Sequence, residues 1–438
     1  MAPMRLVFAP FLLTMGILAG TVGASPGQGG SQRPFDYLQG LADAEAALSM
    51  TTESMAVGVE AVLGKEAVLL SQLAMNLSYV GRHDEAISVF NRGRDAPPPE
   101  SDEDAAQATA ALPALDGIAR AAQGRRVVFI NEAHHVPMHR AFTLRLLVSL
   151  RQAGFTHFAA EAFPTIAGGS EWRDAAPVRS PYGVLTDEPI YADLIRTAVG
   201  LGYKLVTYDA APDCEITAET REKCIDQRER AAAEKLVRGI ETEPNSKVLV
   251  HVGFGHGAKV TGPGYKSLGQ YVAELTGSDP LSVDQVSFSP QDRRDLETPG
   301  YTTLLRLSGQ TEPFVPVKGD GTIWRQAGPG TDIQVVHPRP RDQSGRPDWL
   351  RMGGLRDDVP IPPWMCGSAR PCLVQAFAAK EDPERFVPVD QVLVRQGERM
   401  PVLVLPQGEH LIVARGPRGV LNTSRDRPQQ QGPTGDQR

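Results

Sequence analysis

One stretch of the sequence decides the fold: Val127-Val128-Phe129-Ile130-Asn131-Glu132-Ala133-His134-His135. It begins with a continuous apolar run, which is typical of a strand in a parallel sheet that is covered on both faces. It then changes abruptly to acidic and imidazole side chains. Because ligands of such sheets bind at the carboxyl ends of the strands, the stretch predicts a strand and a functional cluster directly after it.

Strand-like and helix-like segments alternate around this stretch. The predicted strands lie at residues 127–130, 158–160, 204–208, 247–252, 283–288 and 302–307. The predicted helices lie at residues 140–153, 190–201, 219–240 and 267–275, and the first of them stops at Gly154. This alternation over residues 115–310 predicts an α/β fold with a central, mostly parallel sheet and flanking helices.

The regions beside this domain differ from it in composition. Residues 35–95 contain no proline, and residues 77–87 resemble a single tetratricopeptide helix–turn–helix with Gly81 at the turn. We therefore expect a helical hairpin or a small bundle there. Residues 311–421 are rich in Pro and Gly and predict a small β-rich module, in which Gln407-Gly408 would form a hairpin turn. The polar residues 422–438 predict a disordered tail.

The N-terminus has the pattern of a secretory signal peptide at residues 1–24. Arg5 precedes the apolar run at 6–18, and small residues follow, with cleavage expected after Ala24. The run is short for a membrane anchor, so we expect a periplasmic or secreted protein with no stable membrane insertion after cleavage.

The four cysteines fit an exported protein. They form two local pairs, Cys214 with Cys224 and Cys366 with Cys372. In an oxidising compartment this predicts two short disulfide loops, and the alternative is four free thiols.

The charge balance bears on the partners. The 438 residues include 45 Lys and Arg against 52 Asp and Glu, which gives a formal net charge of −7. A general nucleic-acid-binding protein would usually carry a basic field. We therefore expect a small-molecule or peptide substrate rather than nucleic acid, and the sequence leaves the oligomeric state open.

Chemically active side chains follow three of the predicted strands. Glu132 and the pair His134 and His135 follow the first, Glu161 follows the strand at 158–160, and His256 follows the strand at 247–252. Since the carboxyl ends of parallel strands share one edge, these side chains are predicted to converge. Carboxylate and imidazole together can activate water or hold a divalent metal.

These motifs resemble those of the erythromycin-esterase and ChaN-like group, of which the TIKI metalloproteases are more distant relatives. The resemblance covers about residues 120–290 and includes Arg228-Glu229 and the glycine-rich segment around His256. Asn131 stands where the group usually has Gly. The spacing of the esterase branch selects His135, whereas the spacing of the ChaN branch selects His134 and His139.

The esterase branch implies a hydrolase of an ester or amide bond. In that interpretation His135 is the general base on water, assisted by Glu132 and Glu161. His256 would bind or polarise the substrate carbonyl, and Arg228 would steady negative charge. No cofactor is implied.

The ChaN branch implies a haem- or metal-binding protein instead. The implied haem ligands are His134, His139 and His256. A divalent metal would use Glu132, His134, Glu161 and His256. A third hypothesis is an interaction protein that binds partners through its terminal regions and carries a vestigial central site.

Overall fold

The computed structural model describes residues 36–49, 64–92, 94–96, 104–161, 163, 185–209, 214–241, 243, 245–261, 264–309, 311–326 and 330–426. The predicted signal peptide and residues 427–438 of the predicted tail lie outside these ranges. The helices are α1 (Tyr37–Ser49), α2 (Lys65–Tyr79), α3 (His83–Phe90), α4 (Ala114–Ala121), α5 (Pro137–Gln152), α6 (Pro189–Gly200), α7 (Arg221–Glu241), α8 (Leu268–Thr276) and α9 (Tyr301–Ser308).

The strands of the first half of the fold are β1 (Ala108–Pro113), β2 (Val127–Glu132), β3 (His157–Ala160), β4 (Lys204–Val206), β5 (Val248–Gly253), β6 (Leu281–Phe288), β7 (Phe314–Lys318) and β8 (Ile333–Val336). They form one eight-stranded sheet in the order β1-β7-β8-β6-β2-β5-β3-β4. The pairs from β8 to β4 are all parallel, and β7 and β1 add an antiparallel edge. The predicted α/β fold with a mostly parallel sheet is confirmed.

Both faces of β2 are buried, which explains its unbroken apolar run. Val128 and Ile130 pack in the core on the side of α5 and α6. Val127 and Phe129 face the opposite way and pack with residues of α7 and α8. Alternate side chains of β2 thus pack against the helices on the two faces of the sheet.

Two details differ from the expectations for residues 115–310. Residues 302–307 are helical, because they lie inside α9, so the predicted strand there is wrong. The sheet also continues past residue 310, since β7 and β8 belong to it. The predicted boundary between the two modules therefore falls inside the central sheet.

The N-terminal helices pack against a strand of the C-terminal region, β13 (Asp390–Val394). Helices α2 and α3 are joined at Gly81, whose φ of 75° is in the left-handed region. A Cβ at this position would lie 2.6 Å from the carbonyl oxygen of Gln391. Leu393 N donates to Val80 O at 2.9 Å. Position 81 therefore requires glycine for two reasons: the left-handed φ and the lack of space for a side chain.

The C-terminal strands are β9 (Asp342–Gln343), β10 (Arg346–Pro347), β11 (Arg356–Pro360), β12 (Cys372–Ala378), β13, β14 (Val402–Pro406), β15 (His410–Gly416) and β16 (Gly419–Thr423). They form antiparallel sheets in the orders β13-β12-β15-β16, β11-β14 and β10-β9. The β-rich module is confirmed, but the hairpin predicted at Gln407-Gly408 is wrong, because β14 and β15 belong to different sheets.

Both predicted disulfides are present, Cys214–Cys224 and Cys366–Cys372. The alternative of four free thiols is therefore wrong. Among the described residues, no helix combines the length and the apolar character that crossing a membrane requires.

Candidate active site

The site lies at the carboxyl ends of β2, β5 and β3, which are neighbours in the middle of the sheet. Glu132 is the last residue of β2 and is 1% exposed. Its Oε1 accepts a hydrogen bond from His134 Nδ1 at 2.7 Å, and its Oε2 accepts one from His251 Nε2 at 2.7 Å. Arg140 donates to both oxygens, from Nε at 2.7 Å and from Nη2 at 2.8 Å.

Arg140 connects this carboxylate to the helix that follows β3. It is fully buried on α5, its Nη1 donates to Glu188 Oε2 at 3.1 Å, and its Nη2 also donates to the carbonyl of His134. Glu188 caps α6 by accepting from Ile190 N and Tyr191 N. Burial alone would raise the pKa of Glu132, but Arg140 and His251 hold it well below its usual range. Glu132 is therefore ionised and acts as an acceptor.

The ionised state of Glu132 fixes the proton on the neighbouring imidazole. Since a carboxylate only accepts, His134 Nδ1 carries a hydrogen. The lone pair of the imidazole base is therefore on Nε2. A Cβ built on Gly253 would lie 2.6 Å from this Nε2 and 2.8 Å from Glu161 Oε2. Nε2 of His134 therefore lies at the carboxyl end of β5, beside the Glu161 carboxylate.

Glu161 follows β3 and holds a second set of charges. Its Oε2 accepts from Gly253 N at 2.7 Å, and its Oε1 accepts from Arg228 Nη2 at 2.8 Å. Arg228 lies on α7 and also donates to Asp209 Oδ1 at 3.1 Å. Burial would raise the pKa of Glu161, but His256 and Arg228 lower it to about 2. Glu161 therefore stays ionised at neutral pH.

His256 completes this half of the site. Its Nδ1 lies 2.7 Å from Glu229 Oε1, and its Nε2 lies 3.4 Å from Arg228 Nη1 and 3.7 Å from Glu161 Oε1. Glu229 Oε2 in turn accepts from Leu268 N, the first residue of α8, at 2.8 Å. Burial lowers the pKa of His256, but Glu229 and Glu161 outweigh it and the net pKa is raised. His256 and Arg228 are the two basic groups on this side of the site, and Glu161, Glu229 and Asp209 hold them in place.

The backbone after β5 is strained where it borders the site. Phe254 has a φ of 36°, which is unusual for a residue with a side chain. Its carbonyl accepts from Asn131 Nδ2 at 2.8 Å, and its ring lies edge-on to His134 at 5.5 Å. Asn131, where the resembling group usually has Gly, thus fixes this turn by a side-chain hydrogen bond.

The two other histidines of the cluster lie elsewhere. His135 stacks on Phe90 of α3 with ring centroids 3.6 Å apart, and within the described chain it has no hydrogen bond to Glu132 or Glu161. His139 accepts from Ala133 N at 3.1 Å and contacts Ser289 Oγ through Nε2 at 2.8 Å. The structure thus brings together Glu132, His134, Glu161, Arg228 and His256, and leaves His135 and His139 outside this group.

The donor set does not suit a metal ion or haem iron. A cation between Glu132 and Glu161 would meet the guanidinium groups of Arg140 and Arg228, which already occupy those oxygens. Both ring nitrogens of His139 are used, so neither is open for a ligand bond. Across the described ranges, no group of three or more His, Cys, Asp or Glu side chains is arranged to hold a metal.

Three members of the site were not singled out from the sequence: Arg140, Glu188 and Asp209. Glu229 was noted only as part of the Arg228-Glu229 motif. His251 lies inside the strand at 247–252, a position that favours a core residue or a residue supporting the site over a ligand. A charged or imidazole side chain inside an apolar strand or on the buried face of a helix needs a partner, and that requirement is the signal that points to His251 and Arg140. Asp209 directly follows the predicted strand at 204–208, so the strand-end argument that selected Glu132 and Glu161 applies to it as well. Glu188 carries no such signal, because its segment has the composition of an ordinary polar loop.

Neither a protein-family model nor a curated protein matches the sequence. Similar solved structures include the type III effector HopBA1, with 18% identity and a TM-score of 0.29 over 44% of this chain and 87% of the effector. Another is a Bacillus cereus protein, with 12% identity and a TM-score of 0.34 over 55% of this chain and 98% of that protein. A third is RRSP, an effector domain of a Vibrio vulnificus MARTX toxin, with 17% identity and a TM-score of 0.28 over 52% of this chain and 51% of that one.

At TM-scores this low the three structures carry no argument about chemistry. They also leave the resemblance to the erythromycin-esterase and ChaN-like group untested, so it stays a prediction. The site must therefore be interpreted from its own geometry.

Proposed function

We propose that the protein is an exported hydrolase that cleaves an ester or amide bond, with His134 as its general base. The observation that carries this proposal is the 2.7 Å hydrogen bond between His134 Nδ1 and Glu132. This bond orients the ring and leaves the Nε2 lone pair facing the carboxyl end of β5. A base held by a buried carboxylate is the arrangement that deprotonates water or a hydroxyl efficiently.

The rest of the site supplies positioning and positive charge. Arg140 and His251 hold Glu132, so the carboxylate cannot turn away from His134. Arg228 and His256 lie on the other side of Gly253, where a carbonyl oxygen that gains negative charge would be stabilised. Glu161 holds Arg228 in place and, with a pKa of about 2, is not the proton acceptor at neutral pH.

The proposed reaction has two proton transfers. His134 Nε2 takes a proton from water as the water oxygen bonds to the substrate carbonyl carbon, and the carbonyl oxygen becomes an oxyanion beside Arg228 and His256. When the bond to the leaving group breaks, the protonated His134 returns that proton to the leaving oxygen or nitrogen. The base is thereby regenerated, and one water is consumed.

Export forms part of the same proposal. Two disulfides join residues close in sequence, with separations of 10 and 6 residues. Disulfides persist in oxidising compartments and are rare in the cytosol. They support the periplasmic or secreted location that the N-terminal pattern predicts.

The decisive experiment compares His134→Gln with His135→Gln against a panel of chromogenic esters and amides. The two histidines are adjacent and similarly buried, at 5% exposure each. We expect His134→Gln to lower kcat by about 10²–10⁴-fold, which is the usual share of a general base. His135→Gln should leave kcat within about threefold of wild type, because among the described residues the ring stacks on Phe90 and has no hydrogen bond to Glu132 or Glu161.

Circular dichroism and thermal unfolding serve as the control that both variants fold. If His135→Gln lost activity while His134→Gln kept it, the esterase-branch spacing would be right and this proposal wrong. Activity that survives both substitutions would remove histidine base catalysis altogether.

A further inference from the structure

A cavity lies on the opposite side of α5 from the proposed hydrolase site. Its volume is about 230 Å³, and it separates α5 from the loops around β8, β9 and β11. Met138, Phe142 and Trp349 supply apolar wall, and four arginines line the rim. The layer of His139 and His337, with ring centroids 5.4 Å apart, lies between α5 and β8 beside it. None of the groups of the proposed hydrolase site lines this cavity.

The lining contains more arginine than carboxylate side chains. It contains Arg145, Arg339, Arg341 and Arg351 against the two carboxylates Glu312 and Asp348. The acidic partners of Arg339 and Arg351 are Glu297 and Asp358, which lie behind the lining. The cavity therefore presents more guanidinium than carboxylate to anything that enters it.

Two of these ion pairs are readily exchanged. Arg145 contacts Glu312 at 2.6 Å, but the Glu312 side chain is 57% exposed. Arg341 contacts Asp348 at 3.0 Å and is itself 68% exposed. Exposed pairs of this kind contribute little net free energy, so an incoming anion can replace the carboxylates at low cost.

The lining also contains polar atoms without partners. Within the described chain, Arg351 Nε and His337 Nδ1 are buried and have no hydrogen-bond partner. His337 is 1% exposed, and its Nε2 lies 3.2 Å from Gln285 Oε1. Gln285 Oε1 can only accept, so His337 Nδ1 is left as an acceptor. Buried polar atoms are usually satisfied. Arg351 Nε is a donor, which an oxygen of an anion satisfies, whereas the His337 Nδ1 acceptor needs a donor and does not count in favour of an anion.

The position of Arg145 is set by the loop opposite it. Gly353, with φ at +70°, lies so close that a Cβ there would be 3.0 Å from Arg145 Nη2. A residue with a side chain would displace the guanidinium. Glycine at this position thus leaves room for the Arg145 guanidinium beside the loop.

We propose that this cavity binds a small organic anion, a carboxylate or phosphate monoester that carries an apolar group. Arg145 and Arg341 bind the anionic head by charge-assisted hydrogen bonds. Phe142, Met138 and Trp349 enclose the apolar part. The site is independent of the hydrolase chemistry, because none of the groups assigned to that reaction lines it.

Trp349 provides the readout for a test on the full exported chain. Phenyl phosphate and phenylacetate are titrated while tryptophan fluorescence and binding heat are recorded, with inorganic phosphate and benzyl alcohol as probes of the head and the apolar part alone. We expect saturable binding of at least one of the first two with Kd at or below about 1 mM. Inorganic phosphate and benzyl alcohol should each bind more weakly.

Arg145→Gln and Arg341→Gln should each weaken this binding by about tenfold or more, which is the usual value of a charged hydrogen bond. The matched control is Arg125→Gln, since Arg125 is a partly exposed arginine paired with Asp279 on another surface. It should leave Kd unchanged. Trp349→Phe should remove the fluorescence change while the binding heat remains.

Two results would overturn the proposal. One is the absence of saturable heat with both organic anions in a folded wild-type protein. The other is an equal loss of affinity in Arg125→Gln and Arg145→Gln, which would mean non-specific attraction to surface charge. Because Arg341 is mostly exposed, its variant keeps the test valid if Arg145→Gln fails to fold.

Discussion

Gly253 is the residue at which the two halves of the active site meet. Its amide donates to Glu161, and its missing side chain leaves the space that His134 and Glu161 share. The position needs a small residue for packing and not for conformation, since its φ is outside the left-handed region. This makes Gly253 a sensitive point for testing the site without removing any of its charges.

Gly253→Ala is expected to lower kcat by about 100-fold, because its methyl group must push His134 or Glu161 by close to 1 Å. Steady-state kinetics on the ester found in the panel would measure this. Gly200→Ala is the matched control, because a Cβ at Gly200 meets no atom within 4 Å. Equal kinetics for the two variants would show that the geometry at Gly253 does not matter.

Glu161 predicts how stability depends on pH. A carboxyl whose pKa is lowered in the folded state, here from 4.5 to about 2, stabilises the protein above its unfolded pKa. This contribution is about 3 kcal/mol by linkage. It is lost as the pH falls from about 4.5 to about 2.

Urea unfolding of wild type and Glu161→Gln from pH 7 to pH 2 measures this contribution. The difference in free energy of unfolding should be large at pH 7 and shrink in the acidic window. Glu234→Gln, at an exposed pair with Arg230, should show no such trend. A difference that is constant with pH would contradict the assigned ionisation of Glu161.

At the residue scale, the sequence predicted part of this site. Glu132, Glu161 and His256 follow three strands, and parallel strands bring such ends together regardless of their distance along the chain. The choice between His134 and His135 could not be made from spacing. It depends on the twist of one turn and on the position of Phe90 in a separate helix.

At the level of elements, the turn between α2 and α3 is the most constrained connection. Gly81 combines a positive φ with the close approach of β13. The sequence predicted this turn, because glycine followed by acidic residues is typical of a helix end and a new helix start. The strand against which it packs could not be predicted, since it lies more than 300 residues away.

Gly81→Ala is expected to lower the free energy of unfolding by about 2–4 kcal/mol, from left-handed strain plus the clash with Gln391. Gly124→Ala is the matched control, because Gly124 has a φ of +76° and open space around it. We expect Gly124→Ala to lower the free energy of unfolding by about 1 kcal/mol. Chemical denaturation of both variants measures the difference, and equal losses would mean that β13 does not pack as the structure has it.

One element was predicted wrongly for a physical reason. The segment 302–307 is short and mixes Thr, Leu and Arg. Neither the helical nor the strand period therefore dominates its apolar pattern. Gly300 and Gly309, both with positive φ, flank the segment as helix ends. Those glycines are the local signal for α9, and the apolar pattern alone does not record them.

On the scale of the whole molecule, the C-terminal module is organised by a buried ion pair. Arg346 and Asp390 form two hydrogen bonds, at 2.8 and 3.1 Å, with both side chains at most 3% exposed. Asp390 also accepts from Val404 N at 2.7 Å. The pair therefore ties β10, β13 and β14 together.

Arg346→Met is expected to cost about 3–5 kcal/mol in free energy of unfolding, since it leaves the Asp390 charge buried without its partner. Arg293 forms an exposed ion pair with Asp295. Arg293→Met should therefore change the free energy of unfolding by less than about 0.5 kcal/mol. Urea titrations followed by circular dichroism would compare the two. A small loss at Arg346 would show that water reaches Asp390.

The predicted module boundary at 310 shows the limit of composition as a guide to the whole molecule. Proline and glycine become frequent near the point where α/β alternation ends, but β7 and β8 still add to the central sheet. Strand pairing across an edge is decided by which backbone groups remain unpaired, and composition does not record that.

The pairing of residues 79–81 with β13 also orders events in time. Gln391 Nε2 donates to Tyr79 O across 312 positions of the chain. During synthesis α2 and α3 emerge before β13, yet their final contacts need that much later strand. Helices α2 and α3 thus complete their packing only after β13 has been made, a long-range closure of the kind that slows folding.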